Sequence, residues 1–177
     1  MTRYVALLRG INIGSRRLAM ADLRRVVEGV GGEEVATYIQ SGNVVLSHRL
    51  RSPRRLETEL EAAIEETTGM DVPVVARTAA QWSSVVDANP FPGAGPKQLH
   101  VVFLKEPTRA TAFDAIDLDA LAPEELVVAG SELFLHLPNG MGRAKLPVEI
   151  ERRGPRDAVG TARNWATVTR LHEMLAA

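Results

Sequence analysis

Cysteine is absent from this chain, which excludes disulfides, a thiol nucleophile and cysteine-ligated zinc. Aromatic residues contribute only 5%, so rings for stacking nucleic-acid bases are scarce. An excess of either charge is also missing. The net charge is −1 and the pI is near 6.4, and such a surface has no global field to draw nucleic acid or anionic lipid. A nucleic-acid partner is therefore not expected. The apolar run Val5–Leu8 is far short of the roughly 20 residues that cross a bilayer and too short for a signal-peptide core. The reading is a soluble cytoplasmic protein with no membrane partner. Lysine occurs only at Lys97, Lys105 and Lys145; the arginine bias carries no functional weight.

What is present is an ordinary globular composition, 45% hydrophobic and 24% charged over 177 residues, enough for one domain or two small ones. Arg3–Leu8 reads as a covered strand, and Leu23, Val26, Val27 and Val30 then recur at helical spacing before Gly31-Gly32. Val35–Gln40 and Val44–Ser47 flank Ser41-Gly42-Asn43 as a β-hairpin. Ser52-Pro53 opens a second helix with the stripe Leu56, Leu60 and Ile64, and Gly69 stops it. A strand over Val72–Arg77 and a short helix over Thr78–Val86 follow.

The proline and glycine content of residues 89–97 marks a linker between a first unit, 1–88, and a second, 98–177. In the second, Gln98–Leu104 reads as a strand, Thr108–Ile116 as a helix, and Leu126–Ala129 with Leu133–Leu137 as a hairpin. Leu146–Arg153 reads as a short helix and Ala158–Gly160 as a stub of strand. Trp165, Val168, Leu171 and Leu175 stripe a closing helix. Two pairs of segments repeat: Tyr4–Arg9 with His100–Lys105, and Thr78–Val86 with Thr161–Thr169, the latter aligning Trp82 with Trp165. The fold expected is α+β, two tandem ferredoxin-like (β-α-β-β-α-β) units, each followed by a helix.

LLRGINIG near the start, TYIQSGNVVL (Thr37–Leu46), Asn89-Pro90-Phe91, PNGMGRAKL (Pro138–Leu146) and TARNWATVTRL (Thr161–Leu171) together resemble a bacterial family catalogued as domain of unknown function 1697. The resemblance implies two related α+β ferredoxin-like halves in a small cytoplasmic protein, and it implies no activity. Ala144, Ala162 and Ala166 stand where that family often carries hydroxyl or polar residues, so hydroxyl chemistry there is not expected.

A crossover helix makes the first two strands of such a unit parallel. The loop carrying Arg9, Asn12 and Gly14 should then share a rim with Ser41, Gly42 and Asn43. A guanidinium, two amides and glycine-exposed N–H groups at one rim suit a phosphate or carboxylate. Turn formation by the same glycines and asparagines is the structural alternative. Arg9→Ala or Asn12→Ala should then weaken anion binding without changing the melting temperature.

Arg143 and Lys145 follow two glycines without completing any phosphate-loop pattern; the strand before them and the short helix after them are compatible with anion binding there, with a solvated turn as the structural alternative. Arg163 and Asn164 should open the last helix after a Thr161 cap, an unfavourable place for a cation unless it meets an anion. His48, His100, His136 and His172 lack metal-ligand spacing, although His100 and His136 stand on strands that can share a face; no metal and no cofactor is expected. Glu57, Glu59, Glu61, Glu65 and Glu66 read as a solvated helix face. The residues decide neither for nor against catalysis. The expected function is binding of a small anionic ligand at the Arg9, Asn12 and Asn43 edge. The alternatives are a protein-interaction or assembly module, and an RNA-binding ferredoxin-like module, for which the relevant strands offer only Phe134.

Overall fold

Local signals fix the elements of the first unit in the computed structural model, which describes all residues, Met1–Ala177. Strand β1 (Thr2–Leu8) runs into a loop that ends at α1 (Met20–Gly29). Strands β2 (Glu33–Tyr38) and β3 (Asn43–His48) form the hairpin. Helix α2 (Pro53–Thr68) begins where Ser52 Oγ accepts the Arg55 N–H at 3.4 Å and ends at a left-handed Gly69. Strand β4 (Val74–Thr78) leads directly into α3 (Ala79–Asp87). Thr78 and Gln81 close that junction as a capping box: Gln81 N donates to Thr78 Oγ1 at 3.2 Å, and Thr78 N donates to Gln81 Oε1 at 2.9 Å.

The remaining elements are β5 (Leu99–Leu104), β6 (Glu125–Ala129), β7 (Glu132–His136), α4 (Leu146–Arg153), β8 (Gly160–Asn164) and α5 (Trp165–Ala176). The chain is thus α+β, with five α-helices and two four-stranded antiparallel sheets ordered β2-β3-β1-β4 and β6-β7-β5-β8. One compact unit comprises Met1–Ser84 with Arg170–Ala177, the other Val85–Thr169. The chain's last eight residues thus group with the first unit, not with the second as their sequence position implies.

In the first unit Tyr4, Ala6 and Leu8 alternate along β1 into a core shared with Leu23 and Val27 of α1 and Leu56, Leu60 and Ile64 of α2. In the second, Leu104, Leu133 and Leu135 meet Phe113, Ile116 and Leu146. No helix is long and apolar enough to cross a membrane.

The structure corrects several sequence expectations. The helix expected over Thr108–Ile116 is replaced by two short 3-10 turns, Ala110–Phe113 and Asp119–Leu121. Only Phe113 and Ile116 of that stretch are buried, and an apolar stripe this short cannot support the costly first turns of an α-helix. Arg163 and Asn164 lie on β8, paired with Val101 and His100, instead of in the last helix. Asn164, not Thr161, caps α5, its Oδ1 accepting the Thr167 N–H at 2.9 Å. His100 pairs with Leu135 and Leu99 pairs with His136; cross-strand partners share a face and neighbours alternate, so the two histidines occupy opposite faces.

Strand register also bears on the two pairs of similar segments. Leu8 N donates to Gly42 O, and Leu104 N to Ser131 O, each at 2.8 Å. Arg9 N donates to Pro73 O, and Lys105 N to Val159 O, each at 2.9 Å. The Tyr4–Arg9 and His100–Lys105 segments therefore sit equivalently in their sheets. Tyr4 pairs with Thr78 as His100 pairs with Asn164, and Val5 with Arg77 as Val101 with Arg163. Register thus matches Thr78 to Asn164, offset from the Thr78–Thr161 alignment that the shared tryptophans favour. Trp82 corresponds to Val168, both fully buried.

Candidate functional site

Strands β1 and β2 both run antiparallel to β3, so they are parallel to each other and end at one rim. There Leu7 pairs with Asn43 and Leu8 bonds Gly42, which seats the Ser41–Asn43 turn beside the loop that follows β1. The segment after α2 reaches the same rim: Arg9 N donates to Pro73 O, and the Arg16 guanidinium donates to Asp71 O at 2.7 Å.

Most polar groups gathered here serve the loop itself. Asn12 adopts a left-handed conformation (φ 55°). Its Nδ2 donates to Leu18 O at 2.9 Å and Gln40 O at 2.6 Å, and its Oδ1 accepts the Leu18 N–H at 3.0 Å. Asn43 is fully buried, with Nδ2 donating to Tyr38 O at 2.9 Å and Ser41 Oγ at 3.0 Å. Arg16, which the sequence reading passed over, also donates from Nε to Gly10 O at 2.7 Å. Gly42 and Gly14 are both left-handed, Gly42 in close contact with Leu8 and Ile11, Gly14 in open space.

The amide of Asn12 is thus a structural tie, and the expectation that Asn12→Ala leaves stability unchanged is corrected. Losing these bonds at a left-handed position is expected to cost about 2 kcal/mol, a fall of roughly 5 °C in melting temperature. Calorimetry of Asn12→Ala checks this.

Arg9 differs from Asn12, Arg16 and Asn43. Its side chain is exposed and forms no hydrogen bond or ion pair within the chain. The contact between Asn12 and Gln40 places Ile13 and Ile39 at this rim too, 61% and 51% exposed. Ile39 has φ 49°, a strained conformation for a β-branched residue. An open groove of about 1000 Å³ begins at the end of the same loop, lined by Ser15, Arg17 and Arg25 and by Asp22 and Glu66. Its charges are mixed, and Arg25 pairs with Asp22 at 2.8 Å.

Arg143, Lys145, Arg163 and Asn164 belong to the second unit. Arg143 and Lys145 are exposed. The helix end behind them is occupied: Glu124 accepts the Lys145 N–H at 3.0 Å and the Leu146 N–H at 2.7 Å. An internal carboxylate thus takes the place at the α4 N-terminus where an external anion would bind. Arg163 is buried, and desolvation pushes its pKa down to about 10, which leaves it charged at neutral pH. Its guanidinium donates to Thr161 Oγ1 at 2.7 Å and Ala162 O at 2.8 Å.

Burial lowers the His100 pKa, and its Nδ1 has no hydrogen-bond partner. His136 contacts Glu125 at 3.1 Å and stacks obliquely on Phe91 with ring centroids 5.2 Å apart. Phe134 is 1% exposed and offers no platform for a base. Glu57 is buried and accepts the Ala76 N–H at 2.8 Å, and Glu61 accepts the Val74 N–H at 2.8 Å. Those two glutamates are part of the sheet architecture, not a solvated face.

The loop after β1, the hairpin and the first sheet all lie within residues 1–134, the span matched by the model for the protein family of unknown function DUF1697. This chain belongs to the DUF1697 family. The match stops short of the Pro138–Leu146 and Thr161–Leu171 motifs. Among solved structures, a conserved bacterial protein (SP0830) from Streptococcus pneumoniae is similar, with 23% identity, a TM-score of 0.75 and 98% coverage of each chain. That similarity supports the fold of this DUF1697 member. No curated protein matches the sequence.

Proposed function

We propose that this DUF1697 protein is a binding module that takes the carboxylate or phosphate of a small ligand at the rim of its first unit. Arg9 supplies the charge, and Ile13 and Ile39 supply an apolar flank, which favours a ligand with a hydrocarbon portion beside its anionic group. The observation that carries the reading is the exposed, unpartnered guanidinium of Arg9 on a rim where the side chains of Asn12, Arg16 and Asn43 are engaged by the main chain. Asn12, Ser41, Gly42 and Asn43 shape the rim; Arg143, Lys145, Arg163 and Asn164 are no part of it. We further read the two units as copies of one ferredoxin-like β-α-β-β-α-β unit, the second with 3-10 turns in place of its first helix. The matched hydrogen bonds at Leu8 and Leu104, and at Arg9 and Lys105, support that reading.

Thermal melting against inorganic phosphate, nucleotides, sugar phosphates and medium-chain carboxylates tests the proposal. At least one anion is expected to raise the melting temperature. Arg9→Ala should weaken that ligand by about tenfold or more, while stability without ligand stays within about 0.5 kcal/mol because the side chain is exposed and makes no hydrogen bond or ion pair. No shift with any anion, or a shift unchanged in Arg9→Ala, defeats the reading.

A further inference from the structure

Edge strands turn alternate N–H and C=O groups away from the sheet, where another chain can pair with them. In the second sheet Leu104 N donates to Ser131 O at 2.8 Å and Leu137 N to Gln98 O at 2.7 Å. The residues of β7 bonded to β5 are therefore Leu133 and Leu135, which leaves Glu132, Phe134 and His136 to bond Ala129, Val127 and Glu125 of β6. Leu126 and Val128 consequently direct their main-chain groups outward, and nothing in the chain bonds them. The first sheet handles its edges differently. Glu57 and Glu61 occupy the outward N–H groups of β4, and a register irregularity with a left-handed Glu34 interrupts β2. Strand β6 keeps continuous register and contains neither lysine nor proline.

Beside this open edge lies a cavity of about 420 Å³ whose apolar lining is Phe113, Ile116, Leu118, Leu126 and Val128. Its rim carries Asp114, Asp117 and Asp119. Asp117 accepts the Ala120 N–H at 3.1 Å, while Asp114 and Asp119 have no polar side-chain partner. We propose that β6 is an augmentation site for an extended, basic segment of another protein. Main-chain bonds to Leu126 and Val128 give affinity, alternate apolar side chains enter the cavity, and intervening lysines or arginines meet Asp114 and Asp119. A second copy of this chain fits worse, since it brings the same aspartates to the contact.

Fluorescence anisotropy with a labelled peptide of alternating valine and lysine, against one of alternating valine and glutamate, tests this on the full chain. The basic peptide should bind, more weakly as salt rises, and the acidic one should not. Val128→Pro removes an outward N–H at a position where an edge strand tolerates proline, and it should weaken binding by about tenfold or more. The pair Asp114→Lys and Asp119→Lys, on exposed turns, should do the same and keeps the test decisive if the proline variant misfolds. Equal binding of the acidic peptide, or binding unchanged in the variants, overturns the proposal. So does a concentration-dependent dimer that Val128→Pro abolishes, which would assign the edge to a second copy.

Discussion

Replacing Gly42 by alanine is expected to lower the melting temperature by about 10 °C, a loss of roughly 3 kcal/mol. Two costs add. Gly42 has φ 84°, where a side chain costs about 1 kcal/mol. A Cβ there would stand 2.7 Å from Leu8 Cβ and 2.8 Å from Ile11 Cδ1, distances real Cβ atoms do not adopt. Neither neighbour can yield, because Leu8 and Ile11 are 1% and 3% exposed, and the Leu8 N–H is bonded to Gly42 O itself. Gly14→Ala is the matched control. It has φ 54° and nothing within 4 Å of the added carbon, so it should lose only the backbone part, about 1 kcal/mol. Calorimetry on the two variants separates strain from crowding, and equal losses would show that the hairpin does not press on β1 as the coordinates place it.

That contrast also marks how far the sequence could be read. Gly14 and Gly42 look alike as letters, and only the parallel placement of β1 and β2 reveals which is packed. The placement itself was legible: a helix between two strands demands a crossover, and the loop and hairpin duly meet. Helix α2 was legible as well, since Ser52, Pro53 and Gly69 act within a turn of its ends. The roles of Asn12 and Arg16 were not, because their partners are carbonyls at Leu18, Gln40, Gly10 and Asp71, which no side-chain pattern announces. Glu124 escaped notice for the same reason: its partners are the N–H groups of a helix end about twenty residues away along the chain. The likeness of Thr78–Val86 to Thr161–Thr169 was visible, but strand register matches Thr78 to Asn164 instead of Thr161. Similar letters outweighed the register, which only the strand pairing defines.

The largest loss should follow from replacing Glu57 and Glu61 together by alanine. Strand β4 lies at the edge of the order β2-β3-β1-β4. Its Val75 and Arg77 pair inward in the phase set by the bond from Arg9 N to Pro73 O, which leaves the N–H groups of Val74 and Ala76 facing α2. Glutamates one helical turn apart meet residues two apart on the strand: four helical residues advance about 6 Å, two strand residues about 6.8 Å. Val74 and Ala76 are fully buried, so water cannot replace the lost acceptors, and each orphaned donor costs about 1–3 kcal/mol. Together with lost packing, the double variant should be about 4 kcal/mol less stable and melt roughly 12 °C lower. Glu57→Gln, which keeps an acceptor oxygen of nearly the same reach, should recover much of the loss at that position. The exposed edge should also show as concentration-dependent association in light scattering. If the double alanine variant melts with the parent protein, the carboxylates do not seal the sheet, and the distinction between its closed β4 edge and the open β6 edge loses its physical basis.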